Sequence, residues 1–364
     1  MSWLIVFLGF CLLIILHEAG HFVAAKATGM RVERFFLFFG PTIWSFRRGE
    51  TEYGIKAIPI GGYVKITGMN PEEEVPPEVA HRSYYRQKVW KRIVVVAAGP
   101  AVNILLAFLI LFGVYLANGR QEVDQRVGEV KSGMPAAKVL QPGDRIVAID
   151  GKSFGSLSAE DRLVRFGETV GSHECAGRQV DGCVAATPVR VEVERGGRTK
   201  TFSIYPRYDK EAERSLIGFS YGSRALDFGP GKAASEAGAS IWEVTSGTFH
   251  VFTHLFESKQ RKQVSSVVGI SDVGHQVVEH GLEKSLLLLA LVSLSLGLIN
   301  LVPILPLDGG HIFWSLVEKV RGRPVSLRVM ERATMVGIAL VLMLMFIGLS
   351  NDIGRITGEG FEVR

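Results

Sequence analysis

Residues 16–22 read LHEAGHF, and they follow an apolar run, residues 3–16, in which Gly9 is the only interruption. His17 and His21 are spaced i, i+4, which stacks them on one face of a helix, with Glu18 beside the first. This is the HExxH spacing: two imidazoles can bind zinc while the carboxylate between them takes a proton from the attacking water. On a soluble surface helix the same residues would make ordinary polar contacts. Inside a membrane span, ionisable groups are costly and mark function. At 1.5 Å per residue, His17 would lie roughly 20 Å into an apolar core of about 30 Å.

Two histidines leave a catalytic zinc one ligand short. A further histidine six residues after His21 would complete a common soluble arrangement, but Ala27 stands there. The stretch LGLINLVPILPLDGGHIFW supplies Asp308, just after an apolar run broken by Pro303 and Pro306. Proline removes backbone donors, and non-helical backbone at membrane depth is tolerated only where it lines a protein cavity. Asp308 and Asn300 are therefore expected to face a site. Capping a helix that starts at Gly309 or Gly310 is the alternative use of Asp308; the missing ligand favours metal. His311 is a spare candidate, expected to turn toward the following loop.

The elements that must position these groups follow from composition. The chain has 364 residues, 47% of them hydrophobic, with a formal net charge of +5. Its mean hydropathy of +0.23 is high for a soluble protein. Apolar runs at 3–16 (continuing through the histidines to residue 25), 93–117, 286–305 and 333–349 predict four transmembrane helices around one polar insert. No basic leader region or cleavage site precedes the histidines, so the first helix is expected to persist. Arginines and lysines cluster between the first and second spans (Arg31, Arg34, Arg47, Arg48, Arg82, Arg86, Lys88, Lys91, Arg92) and between the third and fourth (Lys319, Arg321, Arg323, Arg328). Both loops are expected in the cytoplasm, with the N-terminus, the insert and the C-terminus outside. Cys175 and Cys183 then fall on the oxidising side, where a disulfide is expected, two free thiols being the alternative. Cys11 lies in the first span.

Four stretches, HEAGH, GGYVKITGM (61–69), AAGPAVNILLA (97–107) and NLVPILPLDGG (300–310), occur in an order that resembles the bacterial site-2 proteases, in particular those like the regulator of sigma-E protease that carry a single PDZ domain. The resemblance spans essentially the whole length. It implies a zinc intramembrane metalloprotease with zinc on His17, His21 and Asp308, Glu18 as general base, and Asn300 contacting substrate backbone near the scissile bond. One departure is SSVVGI at 265–270, where relatives often carry Ser-Gly-Pro. Residues 51–66, TEYGIKAIPIGGYVKI, resemble the membrane re-entrant β-hairpin of that family. An edge strand there, Gly61, Gly62, Tyr63, Val64 and Lys65, could hold an extended substrate by main-chain hydrogen bonds. The register is open: either Tyr63 and Lys65 or Val64 and Ile66 face the other arm. The aromatic stretch RFFLFFGPTIW before it suits the membrane interface.

The fold class so implied is a polytopic α-helical membrane protein with four spans, a re-entrant hairpin and an inserted extracytoplasmic PDZ domain of α+β type. Its expected parts are span 1 with HExxH (1–28), the hairpin region (29–92), span 2 (93–117), the PDZ domain (118–226), an amphipathic helical segment (227–284), span 3 with the aspartate (285–311), a cytoplasmic loop (312–330), and span 4 with the tail (331–364). In the insert, 127–152 resembles a PDZ domain, with a strand at Arg145–Ile149 and a hairpin across Gly196 and Gly197. The domain would filter substrates by size or bind cleaved ends as a carboxylate receptor. Trp242, Phe249, Phe252 and Leu255 form a stripe that is buried or membrane-facing, a packed face being its expected use.

The implied reaction is regulated intramembrane proteolysis of single-span substrates, anti-sigma factors or remnant signal peptides or both, usually after a first extracytoplasmic cut. The expected place is the bacterial inner membrane, with the site near its cytoplasmic side, the lipid bilayer as partner and no nucleic acid. A transporter or channel is the rival of a different class. No inverted repeat is visible, and three ligands suit hydrolysis better. A non-catalytic zinc scaffold is the third reading, disfavoured because Glu18 has no ligand duty.

Overall fold

The computed structural model describes residues 2–70, 73–153, 159–210, 212, 214–254, 269, 274–275, 277–278 and 281–354. The chain forms two compact units: Met1–Tyr115 with Pro230–Arg364, and Leu116–Gly229.

The first unit opens with helix α1 (Ser2–Ala27), which carries the histidines. A ribbon of two strands, β1 (Val32–Arg48) and β2 (Thr51–Ile66), leads to helix α2 (Val89–Asn118). After the insert come α4 (Pro230–Thr253), α5 (Leu282–Asn300), α6 (Asp308–Arg321) and α7 (Leu327–Gly354), α3 belonging to the insert (Ala159–Gly171). Among the described residues, four helices are long and apolar enough to cross a membrane: α1, α2, α5 and α7. The protein is a multi-pass membrane protein.

Three sequence expectations need correction in this unit. First, residues 51–66 are not a hairpin in themselves; they form β2, and its partner arm is the aromatic stretch in β1. Phe38 and Gly40 in β1 and Gly61 in β2 have positive φ (71°, 86° and 69°), so both strands bend midway. Arg34 consequently has two partners, Lys65 and Glu52. Residues 34–37 lie between 62–65 and 52–55, and 44–48 flank 51–55 on the far side. The 62–65 row is thus the outer row of the ribbon, with no strand beyond it among the described residues. The turn of the ribbon is pinned by Glu50, which accepts from Arg82 Nη1 and Nη2 at 2.7 and 2.9 Å and pairs with Lys26 at the end of α1. The Arg82 guanidinium, with Lys26, holds the Glu50 carboxyl down at about 2 against a smaller effect of burial.

Second, residues 285–311 are not one span. Helix α5 ends at Asn300, residues 301–307 are irregular, and α6 starts at Asp308, so most of the expected loop 312–330 is helix. The prolines at 303 and 306 account for the break. Gly309 and Gly310 let α6 start against the backbone of Leu301 and Ile304, where any Cβ would overlap. Gly322, at φ 67°, ends the helix with its N–H donating to Glu318 O.

Third, the stripe on α4 is not packed: Trp242 is 72% and Phe249 70% exposed. The buried face of that helix is made by Ala233 and Ala237 instead. The side chain of Phe252, Leu255, and all of SSVVGI except Gly269 lie outside the described residues.

The insert is built on a sheet of order β10-β3-β4-β6-β7, with β5 on β4. Its strands are β3 (Arg120–Val130), β4 (Arg145–Ile149), β5 (Lys152–Ser153), β6 (Val189–Arg195), β7 (Arg198–Ile204) and β10 (Phe219–Leu226); β8 (Arg207–Asp209) and β9 (Arg214–Leu216) form a separate pair. Alternation on β6 buries Val189, Val191 and Val193, which with Ile149, Val127 and Phe166 of α3 make the core. Gly196 and Gly197, at φ 60° and 73°, supply the two left-handed residues of a tight β6–β7 turn. Asp144 is buried; burial pushes its carboxyl up, but Arg195 Nε and Nη2, each 2.6 Å away, more than offset this and hold it below the ordinary range. Cys175 and Cys183 are joined by a disulfide, whereas Cys11 is free and buried in α1.

Candidate metal centre and cleft

His17 and His21 reach one point from α1, and Asp308 reaches it from the first residue of α6. Asp308 Oδ2 lies 3.2 Å from His17 Nε2 and 3.3 Å from His21 Nε2, and the two ring nitrogens are 3.2 Å apart. His21 Nδ1 donates to Val95 O of α2 at 2.9 Å, which leaves Nε2 of the neutral ring as a lone pair aimed at the cluster. Asp308 Oδ2 is buried and engages no hydrogen bond. Two imidazole nitrogens and a carboxylate oxygen converging in this way form a donor set that fits zinc.

The room for the cluster comes from a residue that sequence reading missed. Gly99 of α2 faces the histidines: a Cβ there would overlap His21 Nε2 and lie 2.9 Å from His17 Nε2. Gly20 similarly lets α1 press onto the Ala98 carbonyl. The only signal for Gly99 was its place inside AAGPAVNILLA, which says nothing of what it touches. Val95, as the acceptor that orients His21, had no signal at all, since any residue offers a carbonyl.

Glu18 stands beside the cluster and is not part of it. The Val64 backbone N–H faces its carboxylate, and a Cβ on Gly62 would come within 3.0 Å of its Cγ. A cavity of about 230 Å³ joins His17, Glu18, His21 and Asp308 to Gly62, Tyr63, Val64 and Asn300. Gly61 sits at the bend just before this row, and Lys65 pairs with Glu33 and Glu73 at 2.9 and 2.7 Å. Asn300 closes α5, its Nδ2 donating to Leu296 O at 3.0 Å. His311 lies one turn past Asp308 and lines different cavities, with Tyr85 and Met330.

The sequence pattern of peptidase family M50 matches residues 5–344. The chain belongs to that family. It is 34% identical over 87% of its length to zinc metalloprotease Rip1 of Mycolicibacterium smegmatis, covering 86% of that protein. To zinc metalloprotease Rip1 of Mycobacterium tuberculosis (strain H37Rv) it is 31% identical, over 86% of this chain and 84% of the relative. The PDZ domain of an SdrC-like protein from Listeria monocytogenes is 27% identical over 28% of this chain and 86% of that domain, but at a TM-score of 0.20 the match carries no structural weight. This M50 peptidase is a zinc metalloprotease, which sets aside the transporter and the inert scaffold.

Proposed function

We propose that the protein cuts single-span membrane proteins within the bilayer, performing regulated intramembrane proteolysis after a first extracytoplasmic cut. Anti-sigma factors and remnant signal peptides are the substrate classes. The observation that carries this reading is the convergence of His17, His21 and Asp308 beside Glu18 on a helix long and apolar enough to span a membrane.

In this reading His17, His21 and Asp308 hold the zinc. When bound, the metal polarises the scissile carbonyl and activates the attacking water. Glu18 accepts the water proton and passes it to the leaving amine. A carbonyl inside a substrate helix is already hydrogen-bonded and shielded, so the substrate must be held extended. The outer row of the ribbon does this by strand addition. Donors alternate along a strand. Thr67 donates to Arg31 on the β1 side, and Val64 is turned to Glu18. Tyr63 and Lys65 therefore bond β1, while Gly62 and Val64 offer their backbone to the substrate. Gly61 permits the bend that starts the row, and Asn300 contacts the substrate backbone from α5. The basic loops lie in the cytoplasm, and the termini and the insert outside the inner membrane. The insert, 118–226, is a PDZ domain that filters substrates by size or receives cleaved ends.

Glu18→Gln should lower cleavage of a single-span reporter by about 10²–10⁴-fold, the usual worth of a general base, with zinc content unchanged. Asp308→Ala should lower zinc content itself. A Glu18→Gln enzyme that cuts at the parent rate removes this mechanism, and full zinc in Asp308→Ala reassigns the third ligand.

A further inference from the structure

Helix α6 bears Asp308 on its first residue, yet no rigid element leads into it, because residues 301–307 are irregular and Gly322 ends it. Its near end is set by the glycine contacts of Gly309 and Gly310. Ile312 packs against the core around Tyr84 and Val95, and Ser315 is buried; beyond these, the one ion pair of its far end among the described residues is that in which Arg92 Nη2 of α2 donates to Glu318 Oε1 at 2.7 Å. Arg92 is 2% exposed and lies against the rings of Tyr84 and Tyr85, its Cζ 5.9 and 5.5 Å from their centroids. Its Nε has no partner, so Glu318 is the only carboxylate that compensates this buried charge among the described residues. Buried pairs contribute little net stability against an apolar replacement, and their best-attested use is to set register.

The register set here is that of the metal site. Ten residues separate Glu318 from Asp308, about 15 Å along the helix, and Asp308, Ser315 and Glu318 share one side of it. On α2, Arg92 stands three residues before Val95, the acceptor that orients His21. One turn of α2 thus references both sources of ligands: α1 through the His21 bond to Val95 O, and α6 through the pair.

We propose that Arg92 and Glu318 are positioning residues for zinc, fixing the axial and rotational setting of α6 so that Asp308 meets His17 and His21. The proposal rests on Asp308 being a zinc ligand. Hydrogen-bonded partners that orient ligands change metal affinity by about 10–100-fold when lost, and a similar acceleration of zinc loss is expected here.

The test is zinc release from the purified, zinc-loaded full chain to a colorimetric chelator, with zinc content and protein accumulation measured beside it. Glu318→Gln, the milder change, and Arg92→Met should release zinc about tenfold or more faster, and the exchanged pair Arg92→Glu with Glu318→Arg should recover slow release. Arg92→Lys, which keeps the charge at shorter reach, should fall between. If the single variants accumulate and hold zinc as the parent does, the proposal is overturned. It is equally overturned if they accumulate poorly, the exchange fails to restore them, and the surviving protein releases zinc at the parent rate, since the pair is then a folding contact. Asp308→Ala in the same assay separates the two levels: rapid loss there with parent-like release in the pair variants defeats only this proposal, whereas zinc retention in Asp308→Ala defeats the ligand assignment beneath it.

Discussion

In the insert, β6 buries Val189, Val191 and Val193 and turns Arg190 to the outside; in the helical unit, Leu4, Ile5, Leu105 and Leu342 face outward while His17, Arg92, Asn103 and Ser293 are buried. The helical unit thus carries on its outer face long rows of apolar side chains of the kind that β6 turns inward. Water rewards burial of Val191, but hydrocarbon gives Leu342 no reason to leave the surface. What a membrane does penalise is an exposed polar group, so the polar residues collect inside, and the candidate metal-binding groups His17, His21 and Asp308 collect with them.

The sharpest way to break this contrast lies at the ribbon, whose outer row is proposed to hold substrate through its backbone. Val64→Pro removes the donor turned toward Glu18 and should reduce cleavage by about 100-fold or more with zinc content and abundance retained, the scale of a misplaced substrate. Tyr63→Pro, on the β1-facing set, should instead lower abundance. Measured together, normal cleavage in an abundant Val64→Pro enzyme would show that the strand does not hold substrate.

A smaller effect separates the two interiors directly. Ile149→Ala empties a fully buried site of the insert and should destabilise it by about 2–5 kcal/mol. Leu342→Ala, on the outer face of α7, should change stability by no more than about 0.5 kcal/mol. Hydrogen exchange of the β6 amides and thermal inactivation of the full chain read the two; equal costs would erase the distinction between water-facing and lipid-facing packing.

The smallest expected effect is pH-dependent. Asp144 has its carboxyl held down by Arg195 in the folded insert, so the unfolded chain binds that proton more readily. Its stabilising effect is complete above the ordinary carboxyl range and is lost as pH falls through it toward the depressed folded value. Exchange protection of Val191 and Val193 should therefore decline on acidification, and Asp144→Asn should flatten that decline. A slope unchanged in Asp144→Asn would assign it to other carboxylates.

Parts of the fold and the site were legible because local rules reach them. The i, i+4 spacing of His17 and His21 needs only a helix, four apolar runs need only length, and Gly196-Gly197 between β-branched runs needs only a turn that accepts two left-handed residues. The ribbon was not legible as built. Pairing of Arg34 with both Lys65 and Glu52 depends on bends at Phe38, Gly40 and Gly61, and a bend moves every later residue to a new neighbour. The stripe on α4 misled for a different reason: periodicity marks an apolar face but not what lies against it, and Trp242 and Phe249 lie open.

By itself, the sequence determined the donor types, the two-histidine spacing, the need for a third ligand and the presence of a broken apolar segment ending in Asp308. Those are properties of short stretches and of composition. Only the tertiary structure decided that Asp308 opens a new helix, that Gly99 vacates the space the imidazoles fill, that Val95 orients His21, that Arg92 meets Glu318 across 226 positions of chain, and that Val64, not Tyr63, turns to Glu18. Each of these is a contact between elements distant in sequence, set by how helices and strands pack, and no local pattern encodes which partner a glycine, a carbonyl or a buried charge will meet.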